Sequence, residues 1–302
     1  MSEILKVEWG TTVLPCGHEV LDPDQSHYCT YLSLRSLERH MEPCAVAGPA
    51  RTVMHADEQQ FITVHLQCEL AFAQMQFDLR RAIAAVRSSA YPDAVAALDR
   101  IKVWTKLLSR LLGVFHTMHP DDFNAFVLAL KPASGAESVN VRKVELLSGL
   151  KPDSPFVRFG AHILTYRQTL DRDPEPGDGK PKARWWTEEL TQLAREDSLY
   201  EVFMATLAHA GLSVAALYER DGTDSQLRRL ADSLYGYELA FLAFRRMHVQ
   251  IARHQLGIRK GTGHTDGVPF LRAIYETARF FPQLTAYKEQ KKKEQTAGEG
   301  GW

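Results

Sequence analysis

Long runs of apolar residues at helical spacing constrain the fold of this chain most strongly. Between residues 57 and 87, apolar side chains recur at intervals of three, four and seven, which keeps them on one face of a helix. They are Phe61, Cys68, Phe72, Met75 and Leu79. Residues 92–116 and 235–258 show the same period, whereas alternating strand patterns are nearly absent. We therefore expect an all-α protein.

Composition excludes several classes of protein. Hydrophobic residues make up 45% of the 302 residues, enough for a full core without disulfides. The formal net charge of −1 argues against a nucleic-acid-binding protein. No apolar run is long enough to span a membrane, and no secretory signal is recognisable, so we expect a cytoplasmic protein. The cysteines lack CxxC spacing and are expected to be reduced thiols: Cys16, Cys29, Cys44 and Cys68.

The chain divides by pattern into three parts. Residues 1–50 contain four prolines and are expected to form an irregular N-terminal arm. Residues 51–287 are expected to form a single helical domain. Within it, the segment DRDPEPGDGKP at 171–181 predicts an exposed insertion. Residues 288–302 are poor in apolar side chains and are expected to be disordered.

Two histidines interrupt the apolar stripes of predicted helices. His65 follows Phe61 by four residues, and His248 lies between Phe244 and Ile251. The more common explanation for one buried histidine is a core imidazole bonded to a carbonyl. The chain has no HExxH motif, which disfavours a zinc hydrolase. The alternative is the axial ligand of a heme in an apolar slot, with a second histidine on the opposite wall contacting O2 or substrate.

Two further features each have a structural and a functional interpretation. Arg142, early in a predicted helix, is either a solvated charge or a bidentate clamp for a carboxylate. The loop Gly261-Thr262-Gly263 either ends a helix or closes over an anionic or zwitterionic ligand with the Thr262 hydroxyl as donor. A phosphate cradle is disfavoured because the Walker spacing is missing.

Several motifs occur in the order found in one known family. YCTYL at residues 28–32 resembles an early YxxYL segment. DEQQFITVH at 57–65, followed by Glu69 and Leu70, is similar to a DExxFIxxH…EL helix. PASG at 132–135, with the later Ser138, Arg142 and Glu145, resembles a PxSGFQSxQYRxxE block. The chain resembles the heme-dependent tryptophan 2,3-dioxygenases.

The C-terminal part extends this resemblance. RRMH at residues 245–248 and GIRKGTG at 257–263 are similar to the RxxH and GxKxGTGG motifs of the family. Gly267-Val268 and Phe281-Pro282 follow in the expected order. The similarity spans residues 28–285. It implies an all-α helical bundle of the tryptophan 2,3-dioxygenase type that encloses a b-type heme.

The resemblance implies a role for each matching residue. His248 is expected to bind the heme iron, in a cofactor site that includes Gly261 and Gly263. His65, the expected catalytic histidine, would contact the indole N–H of the substrate, and Phe61 would form part of the indole pocket.

Substrate binding is expected to involve further residues. Arg142 would bind the amino-acid carboxylate, and Thr262 would hold the α-amino and carboxylate end. Tyr28 and Tyr31 would reach the active site of a neighbouring subunit, because the family forms a homotetramer in which the N-terminal arm is exchanged.

The chain departs from the family pattern at four positions. Ala71 replaces the tryptophan of ELW, Ala136 replaces the phenylalanine of GFQS, and Val141 replaces the aromatic residue before Arg142. His264 replaces the second glycine of GTGG. If the first three side chains face the ligand, the cavity is wider than in the ordinary enzyme.

The resemblance implies an oxygenase that uses O2 to oxidise C2 and C3 of the indole of L-tryptophan or a substituted tryptophan, such as a β-methylated one. The product is either an N-formylkynurenine or a 2-oxindole, the latter formed by a branch of the family in specialised metabolism. Expected partners are the amino acid and O2, with no nucleic acid or membrane. Two alternatives are a heme- or tryptophan-binding sensor without turnover and a heme-free helical interaction protein.

Overall fold

The computed structural model describes residues 56–127, 138–151, 184–257 and 267–299, together with Leu32 and Gly135. These residues form helices and no strand, which confirms the expected all-α class. A short 3₁₀ helix follows α2 at Val114–Thr117. The α-helices are α1 Ala56–Arg87, α2 Tyr91–Gly113, α3 Pro120–Val127, α4 Val139–Ser148, α5 Arg184–Leu193, α6 Leu199–His209, α7 Val214–Glu219, α8 Ser225–Leu256, α9 Val268–Thr277 and α10 Pro282–Glu299.

Three long helices form the centre of the core. α2 packs along both α1 and α8, while α4 packs on α1 and α9 packs on α8. The apolar stripes predicted from the sequence are buried between these helices, which is the main source of stability for helices of this length. Fully buried examples are Met75, Leu79, Leu98, Ile101, Tyr237 and Phe241.

The bounds of α8 differ from the sequence prediction. Asp224 caps the helix by accepting a hydrogen bond from the backbone N–H of Gln226, so α8 begins about ten residues earlier than the predicted start at residue 235. It ends at Leu256, two residues before the predicted end at 258, and the following Gly257 adopts a φ of +59°. Glycine with a positive φ is common directly after a helix. The long α8 places His248 two turns before its C-terminal end.

α4 is fixed at both ends. The Ser138 side chain accepts a hydrogen bond from the backbone N–H of Val141, which caps the N-terminal end. At the other end, the Ser148 hydroxyl and the Tyr237 hydroxyl lie 2.8 Å apart in the core and link α4 to α8. The residues between, including Arg142, are therefore held in a defined orientation.

Gly149, directly after α4, is expected to tolerate no side chain. Its φ is +136°, and an added Cβ would lie 2.9 Å from the Phe280 carbonyl oxygen and 2.6 Å from the Tyr200 Cβ. We expect Gly149→Ala to lower the free energy of unfolding by about 2 kcal/mol or more, measured by urea denaturation. Gly113→Ala is the matched control because Gly113 has helical φ and open space around it. Equal stability of both variants would contradict this prediction.

The C-terminal tail is ordered as a helix through Glu299, so the expected disorder of residues 288–302 is wrong for 288–299. Lysine, glutamate and glutamine favour helices although they add little apolar surface. Two lysines also anchor the helix. Lys288 pairs with Asp232 at 2.7 Å, and Lys291 pairs with Glu219 at 3.0 Å.

Some expectations fall outside the described residues. The N-terminal arm at 1–50, apart from Leu32, and the insertion at 171–181 lie there, as do Cys16, Cys29 and Cys44. Cys68 is a free, buried thiol, and burial raises its pKa to about 12. Among the helices described, none combines the length and apolar character needed to cross a bilayer.

Candidate active site

A cavity of about 460 Å³ lies where α1, α4, α8 and α9 meet, beside the end of α2. This volume is in the range of small-molecule and cofactor sites. Most of its wall is apolar, with side chains such as Phe72, Leu112, Phe244 and Ile251. Polar groups are few and come from α1, α4 and α8. An apolar cavity with a few polar groups is suited to an aromatic or macrocyclic ligand.

One end of the cavity has an aromatic wall centred on Phe61. The ring centroid of Phe61 lies 4.1 Å from that of His65 and 5.6 Å from that of Phe115. Phe123 and Phe126 of α3 pack on the same ring at 6.0 and 5.6 Å. Their contacts fix the ring plane, so this wall offers a preformed aromatic surface to a flat ligand.

His65 lies in α1 and borders the cavity. Its Nδ1 lies 2.8 Å from the Phe61 carbonyl oxygen. Because a carbonyl only accepts, Nδ1 holds the proton and Nε2 is the acceptor in the neutral ring. Burial lowers the pKa of His65 below its ordinary value, against the opposing effects of the Phe61 carbonyl and the Glu69 charge. The neutral ring can therefore accept a hydrogen bond from a ligand at Nε2.

His248 borders the same cavity from α8. Burial is the main cause that lowers the pKa of His248 to about 4, and the nearby Arg142 guanidinium and His65 ring add to this effect. Although it lies deep in the protein, the ring keeps partial accessibility because it faces the cavity. Neither ring nitrogen forms a hydrogen bond with the described residues. A neutral imidazole without such a bond is suited to metal ligation.

The surroundings of His248 fit a heme. Within the described ranges, no three His, Cys, Asp or Glu side chains converge on one point. The apolar walls from α1 and α8 suit a flat porphyrin, and a single histidine is a sufficient protein ligand for its iron.

Arg142 also lines the cavity. Its side chain is 12% exposed, and its Nη1 lies 2.6 Å from the Glu145 Oε2. The interpretation of Arg142 as a solvated surface charge is therefore wrong. Glu145 is buried and also pairs with Arg245 of α8, at 3.2 Å from Nη2 to Oε1. The guanidinium stands at the edge of an apolar cavity, where attraction for a carboxylate is strong.

The sequence is similar to those of known proteins. The sequence matches the model of the tryptophan 2,3-dioxygenase family over residues 16–182, more than half of the chain. The chain belongs to the tryptophan 2,3-dioxygenase family. Curated tryptophan 2,3-dioxygenases from Arthrobacter sp. (strain FB24) and Burkholderia mallei (strain SAVP1) are 27% and 28% identical to it over 286 residues. The alignments cover 87% of this chain and 91% and 84% of those proteins.

Membership of the tryptophan 2,3-dioxygenase family makes the chain an enzyme of the tryptophan oxygenase type. The family match includes His65 and Arg142 but ends before His248. The assignment of His248 therefore depends on the RRMH motif and on the geometry of the cavity.

The structure brings four of the predicted site residues to one cavity: Phe61, His65, Arg142 and His248. The remaining predicted residues lie outside the described part of the chain: Tyr28, Tyr31, Gly261, Thr262 and Gly263. Their roles stay predictions.

The departures from the tryptophan 2,3-dioxygenase pattern have different positions in the structure. Val141 lines the cavity, so the size of its side chain affects the space available there. Ala71 is buried in the core and does not line the cavity, so its replacement of tryptophan does not widen the site directly. Ala136 and His264 lie outside the described residues.

Sequence reasoning assigned no role to Glu145, Arg245 or Glu69, which all line the cavity. The spacing of Arg142 and Glu145 was a usable signal, because residues three apart on a helix form ion pairs. The pairing of Glu145 with Arg245 had no such signal, because α4 and α8 are distant in sequence. Glu69 accepts a hydrogen bond from Asn140 Nδ2 at 2.8 Å, which links α1 to α4 beside the cavity.

Proposed function

We propose that this chain is a heme-dependent oxygenase that oxidises C2 and C3 of the indole ring of L-tryptophan or a substituted tryptophan. One observation supports this proposal most directly. His65 and His248, from two helices distant in sequence, border one apolar cavity together with Arg142. Family membership supports the same substrate class.

His248 would hold the heme iron, and the apolar side chains of α1 and α8 would contact the porphyrin. When bound, the heme supplies the activation of O2, which no side chain provides. The contribution of the protein is to bind the amino acid, to orient it and to exclude water.

The polar groups of the cavity suit an amino acid with an indole side chain. The Arg142 guanidinium would bind the carboxylate in a bidentate pair. His65 Nε2 would accept the indole N–H, and the aromatic wall around Phe61 would contact the ring face. These contacts fix both ends of the substrate, so the C2–C3 bond is held in one place, which accounts for much of the rate gain.

The number of oxygen atoms transferred separates the two reactions of the proposal. Opening of the ring to an N-formylkynurenine incorporates both atoms of O2 and needs no external reductant. Formation of a 2-oxindole incorporates one atom, and the other leaves as water after taking two electrons and two protons from an external reductant such as ascorbate.

Product analysis with ¹⁸O₂ tests the proposal. A product of L-tryptophan or a substituted tryptophan with two labelled atoms assigns ring opening, and one labelled atom with reductant consumption assigns the oxindole. Heme binding without loss of any tryptophan tested would overturn the enzyme assignment and favour a sensor. The absence of a Soret band after heme reconstitution would overturn the heme site itself.

Val141 is expected to set the space for a substituent on the substrate. Val141→Phe adds a ring at the cavity wall beside Arg142, and we expect it to lower kcat/KM for β-methyl-tryptophan relative to L-tryptophan by about tenfold. The ratio between two substrates in one variant is insensitive to a general loss of folded enzyme. An unchanged ratio would show that Val141 does not face the substituent.

The assembly and location of the enzyme form part of the same proposal. We propose a cytoplasmic homotetramer in which residues 1–50 reach a neighbouring subunit and bring Tyr28 and Tyr31 to its cavity. The partners are then the amino acid, O2 and further copies of this chain. Mass measurement of the native assembly tests the tetramer.

A further inference from the structure

Glu145 occupies an unusual position between two arginines of different helices. Its side chain is only 3% exposed. Oε2 pairs with Nη1 of Arg142 at 2.6 Å, and Oε1 pairs with Nη2 of Arg245 at 3.2 Å. Each carboxylate oxygen thus has a different guanidinium partner. A buried charge is expensive to maintain, and this arrangement compensates it on both sides.

Arg245 is fixed independently of Glu145. Its Nη1 donates a hydrogen bond to the Ala278 carbonyl oxygen at 2.9 Å. Its guanidinium carbon lies 4.8 Å from the ring centroid of Phe241 and 5.0 Å from that of Phe280. These contacts leave it little freedom, so Arg245 is a rigid anchor for Glu145.

We propose that Glu145 is a positioning residue for carboxylate recognition. It holds the Arg142 guanidinium at the cavity edge. Because the same carboxylate also pairs with Arg245, it fixes the position of Arg142 relative to α8, where Arg245 lies three residues before His248. This inference rests on the proposed function, in which Arg142 binds the substrate carboxylate. Through this bridge, the group that binds the carboxylate and the helix that presents His248 keep a constant separation.

A neutral side chain of the same size cannot replace Glu145. Glutamine has one acceptor oxygen, and its amide group donates. In Glu145→Gln, either Arg142 or Arg245 would face N–H groups in place of an acceptor. We expect the change to displace the Arg142 guanidinium, whose Nη1 lies 2.6 Å from Oε2 in the wild type.

The test compares binding of L-tryptophan and tryptamine, which lacks the carboxylate, by calorimetry on the heme-loaded protein. In Glu145→Gln we expect the dissociation constant of L-tryptophan to rise about tenfold or more, with that of tryptamine changed much less. Glu145→Asp keeps both acceptor oxygens on a shorter side chain, and we expect its preference for L-tryptophan to lie between those of wild type and Glu145→Gln. If Glu145→Gln does not fold, a preference in Glu145→Asp below that of wild type supports the proposal.

Asp78→Asn is the matched control. Asp78 is also a buried carboxylate between two arginines, Arg81 and Arg100, but it does not line the cavity. We expect the Asp78→Asn variant to be less stable than wild type and to keep the wild-type preference for L-tryptophan over tryptamine.

Two outcomes would overturn the inference, and they differ in what else they overturn. In the first outcome, Glu145→Gln keeps the wild-type preference for L-tryptophan over tryptamine. Where only Glu145→Asp folds, the same result in that variant counts. Glu145 is then merely structural, and the proposed function is unaffected. If wild type itself binds L-tryptophan no better than tryptamine, the carboxylate role of Arg142 falls, and this inference falls with it.

Discussion

Replacement of His248 by alanine is expected to remove heme from the protein. The imidazole borders the cavity, is neutral because burial lowers its pKa to about 4, and has no hydrogen bond within the described residues that would engage its nitrogens. We expect His248→Ala to retain less than about one tenth of the wild-type heme, because it loses the iron ligand that the protein supplies. Heme content and the Soret band of the purified protein measure this.

A second histidine of the same helix provides the control. His254 is exposed, pairs with His116 at a ring distance of 5.4 Å and does not line the cavity. His254→Ala should keep wild-type heme content. The far-ultraviolet circular dichroism of His248→Ala should match wild type, since the imidazole has no hydrogen bond in the described core. Added imidazole should restore part of the Soret band. Wild-type heme content and spectrum in His248→Ala would exclude this residue as the ligand.

The helical elements were predictable because their burial is periodic. The α1 stripe through Phe72, Met75 and Leu79 is buried as its spacing indicates. The C-terminal helix was not predictable by the same rule. Residues 288–299 contain few apolar side chains, and contacts such as Lys288 with Asp232 link them to α8. Such contacts depend on tertiary structure, which periodicity does not encode.

The candidate site was predictable in its parts more than in its arrangement. Periodicity placed His65 and His248 on apolar helix faces, but it could not show that two helices distant in sequence border one cavity. The resemblance of the motifs to a known family suggested that these two histidines share a site. The interpretation of His65 as a core imidazole bonded to a carbonyl is also partly confirmed, since Nδ1 donates a hydrogen bond to the Phe61 carbonyl oxygen. That bond leaves Nε2 for a ligand, so a structural and a functional role coexist in one ring.

The pattern of substitutions alone does not show which of them reach the cavity. Ala71 and Val141 both replace an aromatic residue of the family pattern. Only Val141 lines the cavity, because its position on α4 turns it toward the same space as Arg142. Ala71 packs within the core instead. Helical register, together with the packing of neighbouring helices, decides which change affects a ligand.

Replacement of Arg142 by methionine is expected to have the second large effect. Methionine keeps much of the side-chain volume and removes the group proposed to bind the carboxylate. We expect kcat/KM for L-tryptophan to fall about a hundredfold or more, the range for loss of one partner from a buried charge pair. Glu145 keeps Arg245 as a partner, so its charge is not left alone. Steady-state kinetics with L-tryptophan and with tryptamine measure the change.

The next residue of α4 offers a matched control for this variant. Lys143 is buried and pairs with Glu189 of α5 at 2.6 Å, but it does not line the cavity. Lys143→Met also removes a buried cation from α4, so it should lose stability and keep kcat/KM. In Arg142→Met, the rate with tryptamine should change little, because that substrate has no carboxylate to bind. An equal loss for tryptamine and L-tryptophan would instead assign Arg142 to the structure of the cavity, since a general distortion would affect both substrates alike.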